Sequence, residues 1–191
     1  VYLNKIISKK RLWLRYTNSQ NLWNFDRENL LTIGDIVKNN PSKITQIFST
    51  SDVKHGLSLF STEEIKAIED LIIEKEGKFF IKCQIKDKYK VAKPEEIVRQ
   101  LWIYRLLNEY NYPEERIYVE RVVYFGSRDS GLADIEVLQE DMRHQYIIFE
   151  IKSNQRTAGL EQLKSYCNAE GAPIGVWSNG NEVIRLHREE P

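Results

Sequence analysis

Apolar and polar positions along the chain change period several times, and each change marks an element. Residues 1 to 16 alternate loosely, which predicts strands, and "IGDIVKNNPSKITQIFS", residues 33 to 49, predicts two short helical pieces divided at Asn40 and Pro41. A helix is predicted over 62 to 76: Ser61 and Glu64 fit a capping box, Ile65, Ile68, Leu71 and Ile72 make an apolar stripe, and Gly77 stops it. "KFFIKCQI" then reads as a strand. From residue 93 the periodicity sharpens. Pro94 suits a first helical turn, and Ile97, Leu101, Tyr104 and Leu106 keep to one side of the helix that follows. After Pro113, "RIYVERVVYFG", "LADIEVL" and "YIIFEIK" predict three strands, the last two joined by the polar turn "QEDMRHQ". "TAGLEQLKSYCNAEG" predicts a second helix from a Thr157 cap to Gly171, and "PIGVWSNGNEVIRLHR" two strands that turn at Asn179 and Gly180. The order helix, three strands, helix, two strands makes the chain α/β, with a central mixed sheet flanked by helices over 90 to 191. Residues 1 to 89 form an α+β extension packed on it.

Composition narrows the class. With 191 residues and 41% hydrophobic content the chain can bury one full core or one core with an appendage, which excludes disorder as the main state. No apolar stretch is long enough to cross a bilayer, and the charges in "VYLNKIISKKRLWLR" interrupt what a signal peptide needs, so a cytoplasmic location is expected. Cys83 and Cys167 are too far apart in sequence to suggest a zinc site and read as reduced, buried fillers. A start at Val and a stop at "HREEP" suggest a segment of a larger polypeptide. Lys plus Arg and Asp plus Glu each total 28, so net charge does not announce a nucleic-acid binder. It does not exclude one, because a duplex meets one face of a protein and the local field decides. Lys5, Lys9, Lys10, Arg11 and Arg15, with no acid among the first twenty residues, suit either a solvated basic strand or an arm that tracks phosphates.

The chemistry gathers on two strands. Asp134 lies in "ADIEV", and "FEIKSN" puts Glu150 and Lys152 two apart, on one face of a strand. Pairing through the polar turn would make Asp134 and Glu150 ladder neighbours with facing side chains about 5 Å apart. Carboxylates that close repel, and a divalent cation relieves them; oxygen ligands favour Mg²⁺. Lys152 beside it would orient or help deprotonate a water and stabilise charge on a phosphate, which is metal-assisted phosphodiester hydrolysis. An exposed ion pair is the ordinary alternative for Glu150 and Lys152. Gln162 and Tyr166, four apart on the second helix, share a side of it, as Glu95 and Arg99 do on the first. Glu136 shares the strand face of Asp134 and is expected toward solvent.

Residues 90 to 186 resemble the N-terminal nuclease domain of the type I restriction enzyme R subunit, within the PD-(D/E)xK nuclease superfamily. The resemblance rests on "KPEEIVRQ", "NYPEERI", "ADIEV", "FEIKSN" and "EQLKSYCNAEGAPIGVWSNG". It implies a restriction-endonuclease-like core of α-β-β-β-α-β order. It further implies that Asp134, Glu150 and the Ile151 carbonyl bind Mg²⁺, with Mn²⁺ able to substitute, and that Lys152 acts on the water and the scissile phosphate. Gln162 and Tyr166, a mark of one subgroup, would position DNA or site groups. Glu95 would be the helix-borne acid, with Glu96 its rival, although acids suit a first helical turn for electrostatic reasons alone. Arg99, Arg128 and Asn154 are the DNA contacts the resemblance suggests. Asp129, in a turn where relatives tend to be basic, leaves only Arg128 there to meet a phosphate. The function so implied is a Mg²⁺-dependent DNA endonuclease domain fused to motor or methyltransferase modules of a restriction-modification complex. A catalytically silent DNA-binding or assembly module on the same fold is the alternative, and RNA is not separated from DNA by these motifs.

Overall fold

A computed structural model describes residues 42 to 50, 55 to 125, 129 to 153 and 156 to 188, all inside one compact unit, Ile33–Pro191. The expected N-terminal strands, the basic start, the first helical piece, Arg128 and Asn154 lie outside the described residues. The elements are α1 (Lys43–Ser49), α2 (Thr62–Glu69), β1 (Ile72–Lys75), β2 (Lys78–Lys82), β3 (Tyr89–Val91), α3 (Pro94–Asn108), β4 (Ile117–Phe125), β5 (Asp129–Leu138), β6 (Gln145–Ile151), α4 (Arg156–Glu170), β7 (Ile174–Ser178) and β8 (Val183–His187).

The predicted core order is observed: helix, three strands, helix, two strands. β4 to β8 form a five-stranded sheet in sequence order, antiparallel throughout except for the β6–β7 pair, which α4 connects. β6 is covered on both faces, so its apolar residues run without interruption. Phe149 and Ile151 join the larger core cluster with Ile97, Leu101 and Trp102 of α3. Ile148 joins the smaller one with Leu163, Tyr166 and Cys167 of α4. The larger cluster also takes in Ile44, Ile47, Leu57, Phe60, Ile72 and Ile81, so the described part of the extension shares its core with the five-stranded sheet.

Three local expectations are corrected. The helix predicted over 62 to 76 begins with the expected capping box, Ser61 Oγ accepting from the Glu64 amide and Glu64 from the Ser61 amide, but it ends at Glu69. Ile72 to Lys75 become β1, antiparallel to β2, and Gly77 (φ 69°) turns this hairpin rather than closing a helix. The period misled here because Ile72 continues the helical stripe yet gains more by pairing opposite Ile81, both buried. Thr157 lies inside α4, which starts at Arg156, and is not its cap. Glu136 is not at the solvent: it has no exposed surface.

Two features position the site. First, along β5 the side-chain alternation breaks at Asp134, since Ala133 packs in the α4 cluster while Ile135 and Val137 pack in the α3 cluster. Opposite, β4 crosses over at the same level, with Val119 in one cluster, Val123 in the other, and Glu120 between them at φ 49°. Second, the segment after residue 55 is fastened to the β7–β8 turn. Gly56 N–H donates to the Asn179 carbonyl (2.9 Å) and Leu59 N–H to that of Gly180 (3.1 Å). Gly180 sits at φ 87°, and a Cβ there would meet the Gly56 carbonyl oxygen at 1.9 Å. Only glycine permits that approach.

Candidate active site

The site forms where β5 and β6 stop pairing. Ile135 and Phe149 make the last rung of the β5–β6 ladder, and Asp134 and Glu150 are the next residues beyond it. Asp134 does not continue the ladder. Its Oδ2 accepts from the Ile151 amide at 2.6 Å and its Oδ1 from Arg99 Nη2 at 2.5 Å. The carbonyl of a strand residue leaves the same edge as its amide, so the Ile151 carbonyl is directed to the Asp134 side.

Glu150 is fully buried, and neither of its oxygens makes a hydrogen bond. Lys152 Nζ lies 3.2 Å from Oε1, an ion pair without hydrogen-bond alignment. Burial, and then the charge of Asp134, push the Glu150 carboxyl up to about 8, with Lys152 opposing. Burial disfavours the Lys152 ammonium, but Glu150 and Asp134 outweigh it and hold the group above its ordinary value. Lys152 is therefore a fixed cation at neutral pH. Its stem is set by α4: a Cβ on Gly159 would meet Trp177 Nε1 at 2.6 Å and Lys152 Cγ at 3.3 Å.

Arg99, expected at a DNA phosphate, is 5% exposed and is held among carboxylates. Besides Asp134 it pairs with Glu96, with Glu95 at 3.3 Å and with Glu120 at 3.5 Å. Burial disfavours its charge, yet Asp134 and Glu96 raise its pKa further. Lys90 pairs with Glu120 and approaches Glu96 at 3.6 Å. The two helix acids separate clearly. Glu96 is buried, accepting from Gln100 Nε2 at 2.8 Å as well as from Arg99. Glu95 stays part-exposed and lines a cavity. Its carboxyl is raised by burial and by Asp134, which places it in the field of the site.

Gln162 Nε2 donates to Tyr166 Oη, and Tyr166 is buried against β5, where a Cβ on Gly131 would meet its hydroxyl at 2.3 Å. Burial raises the Tyr166 phenol, and Glu150 adds to the shift. Asp134, Glu150, Lys152, Glu95, Gln162 and Tyr166 thus come to one end of the sheet. Arg128 and Asn154 have no described position.

One residue escaped sequence reasoning. His55 is 7% exposed, and both ring nitrogens lack a hydrogen-bond partner. Burial lowers it to about 4, with Asp134 opposing and Lys152 adding to the fall. It is a neutral imidazole in the field of Asp134 and Lys152, with a lone pair available. No spacing in the sequence marks it, because it is delivered by the hydrogen bonds that dock residues 56 to 59 on the β7–β8 turn.

The orphaned atoms of Glu150 and His55 suit a divalent ion, whose ligands are oxygen and imidazole nitrogen. Against this, Arg99 occupies one oxygen of Asp134, and among the described residues no three His, Cys, Asp or Glu side chains converge as a metal cluster. Charge favours a cation all the same. Among the described residues Glu95, Glu96, Glu120, Asp134 and Glu150 gather around Arg99, Lys90 and Lys152, with Lys86 acting on Glu120, and burial first and Asp134 second raise Glu150.

A family model described as the type I restriction enzyme R protein N terminus matches residues 94 to 191. The match takes in every site residue named above except His55 and Lys90. No curated protein matches the chain.

Proposed function

The chain belongs to the family of type I restriction enzyme R protein N-termini, and from that premise we propose that it is a Mg²⁺-dependent endonuclease domain that hydrolyses DNA phosphodiester bonds within a larger restriction-modification assembly. The observation that carries this reading is Glu150: a carboxyl group without surface or hydrogen bond, in the field of Asp134 and 3.2 Å from a lysine. Ionising this carboxyl in a buried site beside Asp134 is costly, and a bound dication would offset that cost.

Asp134, Glu150 and the Ile151 carbonyl would hold the metal, with His55 and Glu95 beside them. When bound, the ion would acidify a water and draw charge from the phosphate. Lys152, held protonated, is suited to stabilising charge on the phosphate and orienting the water, not to accepting a proton. Arg99 positions Asp134 and fixes α3 to the strand end. Gln162 and Tyr166 border the far side on α4, where they would orient the strand being cut.

The test uses supercoiled plasmid with Mg²⁺. Nicking is expected from the wild-type chain and its loss from Lys152→Ala, Glu150→Gln and Asp134→Asn, each checked for a retained fold. Nicking that persists in all three would remove the mechanism. The Arg99–Asp134 bond favours a second reading, a silent module in which an arginine has taken the cation's place. That reading predicts DNA binding with no scission under any divalent ion.

A further inference from the structure

The three-stranded sheet β1–β2–β3 lies before the matched residues, and the site does not account for it. Its inner face carries Ile72 and Ile81, both in the core. On its outer face Phe80 is registered with Ile73 and Val91, and Lys82 with Tyr89. Ile73, Tyr89 and Val91 are 40%, 53% and 50% exposed. Aromatic and apolar groups there alternate with lysines. Between residues 72 and 93 seven lysines stand against Glu74, Glu76 and Asp87, in a chain whose net charge is zero.

This face runs into a cavity of about 510 Å³ at the N-terminus of α3. Lys78, Phe79, Val91 and Lys93 line it together with His55 and Glu95. Lys78 and Lys93 are exposed and make no ion pair with a described residue. The first amides of α3 lack a side-chain cap, so they add positive potential at the same end. His55, buried with both nitrogens unpartnered, is the independent sign that the cavity takes a ligand.

We propose that this cavity and the outer face of β1–β3 bind the DNA strand flanking the scissile phosphate, Lys78 and Lys93 each meeting a phosphate and Val91, with Phe80 beside it on the same face, packing on the sugar and base between them. Cations matched to successive phosphates supply affinity without sequence preference, and aromatic groups supply stacking surface. The inference rests on the nuclease reading for where the scissile phosphate lies, but the binding needs no metal.

The test is fluorescence anisotropy of a labelled duplex oligonucleotide in EDTA, with salt varied over roughly 50 to 200 mM. Lys78→Glu with Lys93→Glu is expected to weaken binding at least ~tenfold and to reduce the slope of log affinity against log salt by about 1 to 2. Arg143→Glu, in the β5–β6 turn at the opposite end of β6 from the site, is expected to bind as the wild type does. Circular dichroism melting confirms that the exposed replacements leave the fold intact. Wild-type affinity and slope in the double variant would overturn the proposal, as would a wild-type chain that binds no duplex. Plasmid nicking in Mg²⁺, run in parallel, separates the two readings. Binding lost with the lysines but no nicking by the wild type leaves the groove and removes the nuclease; nicking by the wild type with unchanged binding in the double variant does the reverse.

Discussion

Replacing Glu150 by glutamine should make the metal-free protein more stable at alkaline pH and, on the proposed mechanism, abolish nicking. The unfolded carboxyl titrates at 4.5 and the folded one at about 8. Between these values the folded state binds more protons than the unfolded, so stability falls as pH rises through the window and levels off above it. A shift of that size corresponds to roughly 5 kcal/mol at full ionisation. Glutamine keeps the volume but gives up the Lys152 ion pair, and its buried amide also lacks partners, so a net gain on the order of 3 kcal/mol near pH 9 is expected. For a unit of this size that is a rise in Tm of roughly 6 to 12 °C. Glu136, which burial lifts to about 7, adds its own slope at lower pH. The range between about 7 and 8 therefore isolates Glu150 best. Thermal melts from pH 5 to 9 in EDTA are the assay. A variant no more stable than wild type at pH 9, or one that keeps the full fall between pH 7 and 8, would refute the reasoning by showing that the carboxylate is satisfied.

At the proposed metal site the same proton would make Mg²⁺ affinity depend on pH: below about 8 a cation would have to displace it, so apparent affinity by calorimetry should fall up to ~tenfold per pH unit toward pH 6. A pH-independent affinity would exclude Glu150 as a ligand. Arg99→Met leaves Glu96 and Asp134 buried without their shared cation and should cost about 3 to 5 kcal/mol in urea unfolding; a loss under ~1 kcal/mol would mean the cluster relaxes into water. Gly180→Ala, with its Cβ driven against the Gly56 carbonyl, should destabilise by roughly 2 kcal/mol or more and raise hydrogen exchange at Gly56 and Leu59. Unchanged exchange there would detach the docking of His55 from this turn.

Local patterns carried the architecture of residues 93 to 188 because each element there reports itself. α3 has Pro94 in its first turn, β6 is apolar on both faces, and Gly171 (φ 70°) follows the end of α4. The helix and strand near residue 72 could not be divided that way, since one isoleucine satisfies both periods and only the partner strand chooses between them. Glu136 was misplaced for a related reason: period 2 puts it beside Asp134, but which face of β5 is covered depends on α4.

From the chain itself came the order of elements, the two strands that bear Asp134, Glu150 and Lys152, and the helix that bears Gln162 and Tyr166, all of them consequences of spacing within a few residues. Tertiary structure alone decided that Asp134 closes on Arg99, that Glu95 and not Glu96 opens on the cavity, and that His55 lines that same cavity. Those outcomes depend on contacts between distant residues, such as Arg99 with Asp134 and Gly56 with Gly180. No periodicity in a linear pattern encodes such distances. They arise when burying two faces of one sheet forces distant segments together.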